Sequence, residues 1–218
     1  MRKKAIIISI KSFKISEKEK KLFLNERPWG LILFKRNIKS LEQIKALTRT
    51  IRSISKDPKF PIMIDEEGGA VSRLGKILNN DLSQKFFGDI YRINNTTGIS
   101  FYKSYIGNIA NFLKIIGVNI NTVPVLDVLR NRNNKFIGSR SFSDDPSIVK
   151  KLGQICVKEY VSNKIATVIK HIPGHGCTVT DSHLKTPKVE LRFHVLNKID
   201  FLPFKSNSSK FAMTSHIL

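Results

Sequence analysis

Apolar residues in this chain fall into short, non-alternating runs, separated by longer stretches in which they recur every three to four positions. Residues 5–10, 30–34, 61–64, 120–128, 166–169 and 211–215 read as strands. Their continuous apolar character predicts burial on both faces, as in a parallel sheet covered by helices. The intervening stretches read as helices. Residues 17–25 follow a possible N-cap at Ser16. Residues 41–53 follow Ser40, with Ile44, Leu47 and Ile51 on one face. Residues 100–116 end at Gly117, and residues 146–163 begin at Pro146. Residues 82–93 are aromatic and helical at the start, residues 94–98 form a polar loop, residues 130–145 form a longer one, and helix and loop share residues 192–209. Pro124 breaks the second half of the fourth strand.

This β-α alternation predicts an α/β fold. Polar residues gather just after the strands, at Asp65, Asp127, Lys170, His171 and His216. Several strand ends contributing to one site favour a TIM-type (β/α)8 barrel over a doubly wound sheet. About six strands are present, so the barrel is incomplete in this chain. No glycine-rich dinucleotide fingerprint follows the first strand and no Walker-type loop occurs, which argues against nucleotide binding. No repeat or linker divides the 218 residues, and residues 1–218 read as one domain.

Composition adds little to the fold. Hydrophobic residues make up 41% and charged residues 25%, as in ordinary globular proteins. The two cysteines, Cys156 and Cys177, form no disulfide framework and suggest a reducing compartment. The basic start at residues 2–4 precedes too short an apolar run for a signal segment, and no run approaches a membrane span. The expected location is the cytoplasm. The net charge of +21 is the rival signal, since it favours anionic partners. The basic residues are spread along the whole chain, however, and the abundance of Lys, Ile and Asn offers a compositional explanation.

Candidate chemistry concentrates in residues 170–183. Lys170, His171, Pro173, Gly174, His175 and Gly176 follow the fifth strand, and Asp181-Ser182-His183 comes just after. A carboxylate two residues from an imidazole can fix its tautomer and make a proton shuttle near neutral pH. The alternative is a solvated loop with a chance pairing. Zinc is a competing chemistry for His171, His175, Cys177, Asp181 and His183, but Pro173 and Gly174 preclude the helix that makes a four-residue histidine spacing useful. Asp65, with Gly68, Gly69 and Arg73, either holds a polar ligand or decorates a tight turn. Arg140 either donates a charged fork to a ligand or pairs locally with Asp144 or Asp145. Trp29, Phe86 and Phe87 read as core.

The strings GLILFKRN, IDEEGGAVSRL, TVPVLDV, IGSRSFSDDP, KHIPGHG with DSH, LPFK and MTSHIL together resemble the bacterial β-N-acetylglucosaminidases of glycoside hydrolase family 3. They stand in that family's order over nearly the whole chain. The resemblance implies a (β/α)8-type barrel that removes terminal N-acetylglucosamine, typically from muropeptides in peptidoglycan recycling; a monomer without cofactor or metal is expected. It implies that Asp65 hydrogen-bonds sugar hydroxyls and that Arg73, Arg140, Lys170 and His171 bind the sugar. It makes His183 the general acid/base and Asp181 its partner. Ala70 and Ser139 depart from the family's usual arginine and acidic residue. The family's nucleophilic aspartate, in an S-D-D-like segment of a later strand, has no counterpart, and Asp127, Asp144 and Asp145 do not stand in its place. The chain therefore reads as a truncated member. As it stands, it is either the sugar-binding and acid/base part of a retaining enzyme or a non-catalytic sugar-binding remnant. A basic anion- or nucleic-acid-binding protein is the third reading.

Overall fold

A computed structural model describes residues 3–178, 186–205 and 207–218. Six strands form one parallel sheet: β1 (Lys4–Ile8), β2 (Pro28–Leu33), β3 (Ile62–Ile64), β4 (Ile120–Asn121), β5 (Ala166–Ile172) and β6 (Phe211–Thr214). The spatial order is β1-β2-β3-β4-β5-β6, the same as the chain order. A doubly wound sheet reverses direction part-way. A sheet in which every strand adds on the same side curls instead, and this one forms an incomplete barrel.

Helices cover its outer face: α1 (Glu17–Glu26), α2 (Leu41–Ser55), α3 (Gln84–Ile93), α4 (Asn95–Ile115), α5 (Pro146–Ser162) and the short α6 (Phe193–Lys198). Leu31, Leu33, Ile62 and Ile64 point outward from β2 and β3. They meet Ile44, Leu47 and Ile51 of α2 and Ile106, Ile109 and Leu113 of α4 in one continuous core. Inside the curl, Met63, Ile120 and Val168 form a smaller cluster, with Trp29 and Phe211 meeting across it.

Helix starts follow their caps. Ser16 and Glu19 form a reciprocal capping box on α1, and Ser40 accepts from the Gln43 N–H at the start of α2. The polar stretch 94–98 is not a loop: Asn94 caps α4, accepting from the Thr97 N–H, so this helix begins five residues earlier than expected. Gly98 allows the close approach there, because a Cβ would come within 2.7 Å of the Tyr91 Cα. Gly117, at φ 79°, ends the helix as the sequence predicts.

The fourth strand is shorter than its apolar run. Regular pairing stops after Asn121, because Pro124 has no N–H to donate. A single bridge then resumes at Val125 beside Lys170. Phe87 is buried, but Phe86 is 37% exposed and contacts Phe101 from the helix surface, so it is not a core residue. Both cysteines are free, and burial pushes the Cys156 thiol up to about 12. No helix among the described residues is long and apolar enough to cross a membrane.

Candidate active site

In a parallel sheet every strand ends on the same side, so residues far apart in sequence meet there. A cavity of about 310 Å³ opens at this end, lined by Asp65, Arg73, Phe136, Arg140, Lys170, His171, His175 and His216 among others. All five residues expected to bind a sugar therefore line one cavity: Asp65, Arg73, Arg140, Lys170 and His171.

Lys170 is its centre. The side chain is 2% exposed, and Nζ lies 2.5 Å from both Asp65 Oδ1 and Glu67 Oε1. Thr122 donates a short hydrogen bond to the same Asp65 oxygen, and Arg73 Nη2 reaches Asp65 Oδ2 at 2.8 Å. Glu67 in turn receives Arg140 through two parallel bonds, Nε to Oε2 at 2.8 Å and Nη2 to Oε1 at 2.9 Å. Such a fork fixes the guanidinium in plane. Arg140 thus pairs with a carboxylate 73 residues away and not with Asp144 or Asp145. Asp144 binds Arg92 on the surface, and Asp145 caps α5.

Burial alone would raise the pKa of Asp65 and Glu67. The positive charge of Lys170 outweighs it, helped by Thr122 and Arg73 at Asp65 and by Arg140 at Glu67, and both stay below the usual carboxylate range. Asp127 is fully buried, yet its hydrogen bond with His171 holds its pKa low as well.

Asp127 orders the histidines. Its Oδ2 lies 2.6 Å from His171 Nδ1, and its Oδ1 accepts the His175 backbone N–H at 2.7 Å. His171 Nε2 faces Arg140 Nη2 at 3.4 Å. A proton on Nδ1 satisfies both neighbours, leaving the Nε2 lone pair toward the guanidinium. Asp127→Asn cannot accept from Nδ1 and His175 N–H together. It is expected to switch the His171 tautomer and weaken sugar binding about tenfold or more. Imidazole nitrogen shifts read by NMR test this, and unchanged shifts would contradict it.

Glu66 and Glu67 were not singled out by the sequence, although they follow Asp65 directly. Glu66 accepts from Arg73 N (2.7 Å), Leu74 N (3.0 Å) and Asn80 Nδ2 (2.6 Å), pinning the loop that carries Arg73. The usable signal was an acidic triplet at a strand end in a chain with lysine and arginine at other strand ends. Asp181 and His183 lie outside the described residues. Among the described residues, no group of three or more His, Cys, Asp or Glu side chains is gathered in a way that could hold a metal ion.

Because Asp65, Glu67 and Asp127 have lower pKa values folded than unfolded, each contributes stability above about pH 4 that is lost as pH falls toward its folded value. Asp200 acts in the opposite sense. Burial raises its carboxyl despite a 2.8 Å pair with Arg130, so acidification favours the fold at that position. Three groups outweigh one, and the melting temperature is expected to drop steadily below about pH 4. A flat profile through that range would contradict the assignment.

The curled parallel sheet, with a strand-end pocket of paired carboxylates, cations and histidines, is part of a TIM-type barrel. The sequence matches the glycosyl hydrolase family 3 N terminal domain over residues 1–218, and the chain belongs to that family. It is 35% identical over 203 residues to beta-hexosaminidase A of Pseudoalteromonas piscicida, covering 86% of this chain and 32% of that protein. It is 33% identical over 199 residues to the beta-hexosaminidase of Hydrogenovibrio crunogenus, covering 91% and 55%. The chain thus spans about a third to a half of the length of these relatives. Its fold is similar to NagZ from Neisseria gonorrhoeae, solved with N-trifluoroacetyl-D-glucosamine, at a TM-score of 0.90 and 27% identity over 99% of this chain and 64% of that one. A family 3 beta-N-acetylglucosaminidase from Paenibacillus is similar at a TM-score of 0.86 and 28% identity, over 97% and 40%.

Proposed function

We propose that this chain forms the N-acetylglucosamine-binding and acid/base part of a retaining exo-β-N-acetylglucosaminidase acting on muropeptide fragments in the cytoplasm. The observation that carries the reading is the convergence of Asp65, Arg73, Arg140, Lys170 and His171 on one cavity. The kinship to beta-hexosaminidases supports the choice of sugar. In this reading Asp65 accepts from sugar hydroxyls, while the four basic side chains donate to sugar oxygens. His183 protonates the leaving oxygen and then takes a proton from water, with Asp181 as its partner. The protein acts as a monomer, residues 1–218 form one barrel domain, and the reaction uses no cofactor.

Retaining hydrolysis also needs a carboxylate that can attack the sugar. Among the described residues, Asp65, Glu67 and Asp127 are each held by a cation or an imidazole at hydrogen-bonding distance. Their commitment to partners favours a second reading for residues 1–218 taken alone, that of a sugar-binding unit without turnover.

A β-N-acetylglucosaminidase that contains this chain is expected to release p-nitrophenol from its N-acetyl-β-glucosaminide. His183→Ala should lower kcat by about 10²–10⁴-fold. Activity on β-glucosides alone would contradict the substrate. Rapid turnover by residues 1–218 alone would contradict the second reading.

A further inference from the structure

A second cavity, of about 300 Å³, opens at the opposite end of the sheet from Lys170. It lies where β1, β2 and β3 begin and where α1 and α2 end. The Lys4 N–H donates to Arg27 O at 3.0 Å, and Lys4 pairs with Pro28 in register, so the entries to β1 and β2 are held together. In a barrel this end ordinarily carries stability and not chemistry. The cavity is therefore separate from the sugar site.

Its floor is apolar. Phe23 and Phe60 are buried, with ring centres 6.0 Å apart and planes tilted by 55°. Pro28, Leu24 and Ile54 extend the floor. Leu24 is 45% exposed, so this apolar surface reaches solvent and is not sealed core. The rim is cationic. Among the described residues, Lys3, Arg27 and Lys56 line the cavity and no carboxylate does. Lys3 is committed to Asp57, with Nζ 2.6 Å from Oδ2, and lies 5.9 Å from the centre of the Phe60 ring. The other Asp57 oxygen accepts the Lys59 N–H. Arg27 and Lys56 are exposed. Among the described residues, neither forms an ion pair with a carboxylate.

Both of these residues hold left-handed backbone, Arg27 at φ 47° and Lys56 at φ 50°. Each stands just after a helix, where glycine is the usual residue because a Cβ is strained there. Lys164 takes the same conformation after α5, and a cation near a helix C-terminus meets the carbonyl dipoles favourably. The backbone therefore assigns nothing by itself. The assignment rests on the cavity, an open apolar floor under a rim whose charge is of one sign.

We propose that this cavity binds a small aromatic carboxylate, with its ring on the floor formed by Phe23 and Phe60 and its carboxylate at the rim of Arg27 and Lys56. Tilted phenylalanine rings offer a ligand ring both face and edge contacts. A guanidinium can take a carboxylate through paired hydrogen bonds, and the ammonium adds a point charge. This site goes beyond the glycosidase reading and does not rest on it.

Isothermal titration of the 218-residue chain with 2-naphthoate, beside the neutral 2-naphthamide and the aliphatic octanoate, tests it. 2-Naphthoate is expected to saturate one site and to bind about five- to tenfold more tightly than the amide at low salt, with the gap narrowing at high salt. The combined variant Arg27→Gly and Lys56→Gly removes both charges at positions whose backbone suits glycine, so the fold is kept. It should bind the acid and the amide alike. Lack of saturable binding of 2-naphthoate, equal affinity for the amide in the parent chain, or a preference that survives in the variant overturns the proposal. Tighter binding of octanoate than of 2-naphthoate overturns the aromatic assignment.

Discussion

Lys170→Met is expected to destabilise the fold by about 3–5 kcal/mol, because it strands the buried Glu67 and the part-buried Asp65, which now share one ammonium. Methionine fills nearly the same volume, so the loss reports charge and not a cavity. Arg73 and Thr122 would still hold Asp65, and Arg140 would still hold Glu67. Nothing would then separate the two negative charges, and Asp65 already works to raise the pKa of Glu67. Without Lys170 both carboxylates should titrate higher than in the parent chain, because less positive charge opposes their burial. The variant should therefore lose less stability than the parent chain on acidification. Denaturant unfolding at several pH values checks both the size and the slope. A loss below about 1 kcal/mol, or the same pH slope as the parent, would refute this account of the cavity.

Gly176→Ala carries the second large effect. A Cβ at Gly176 would stand 1.7 Å from the Val128 carbonyl oxygen, and that oxygen belongs to backbone that cannot swing aside. The turn at residues 173–178 is docked on residues 127–134 by several bonds. Asp127 accepts from His175 N–H, Asn134 donates to His175 O, and Asn131 N–H donates to Gly176 O. One methyl group breaks this docking as a unit. The expected cost is about 3 kcal/mol, together with loss of sugar binding, since His171 and Asp127 depend on the same contact. Hydrogen exchange at residues 127–134 should rise with it. Unchanged protection and unchanged binding would show that the turn does not hold the site.

The strand ends were legible because a parallel sheet leaves a plain mark: an apolar run that stops at a charge. That mark located Asp65, Lys170, His171 and His216, and the gathering of several strand ends at one site favoured a barrel over a doubly wound sheet. The partners across the cavity were not legible. Asp144 and Asp145 are the sequence neighbours of Arg140, but the curl of the sheet brings Glu67 to it across 73 positions. Glu66 and Glu67 look like turn decoration in sequence, yet one caps backbone N–H groups and the other bridges two cations. Residues 94–98 read as a loop because they are polar, whereas Asn94 caps α4 and Gly98 lets α3 and α4 meet. The apolar run to Val128 reads as one long strand because Val125, Leu126 and Val128 are all buried, whereas beyond Pro124 the pairing shrinks to a single bridge at Val125.

The central claim is that the cavity around Lys170 is a site for terminal N-acetylglucosamine. Isothermal titration of residues 1–218 with N-acetyl-D-glucosamine, beside glucose as the control, tests it most directly. Saturable binding of N-acetylglucosamine is expected, about tenfold or more tighter than glucose and lost in Asp127→Asn. Absence of saturable binding, or equal binding of the two sugars, would contradict it.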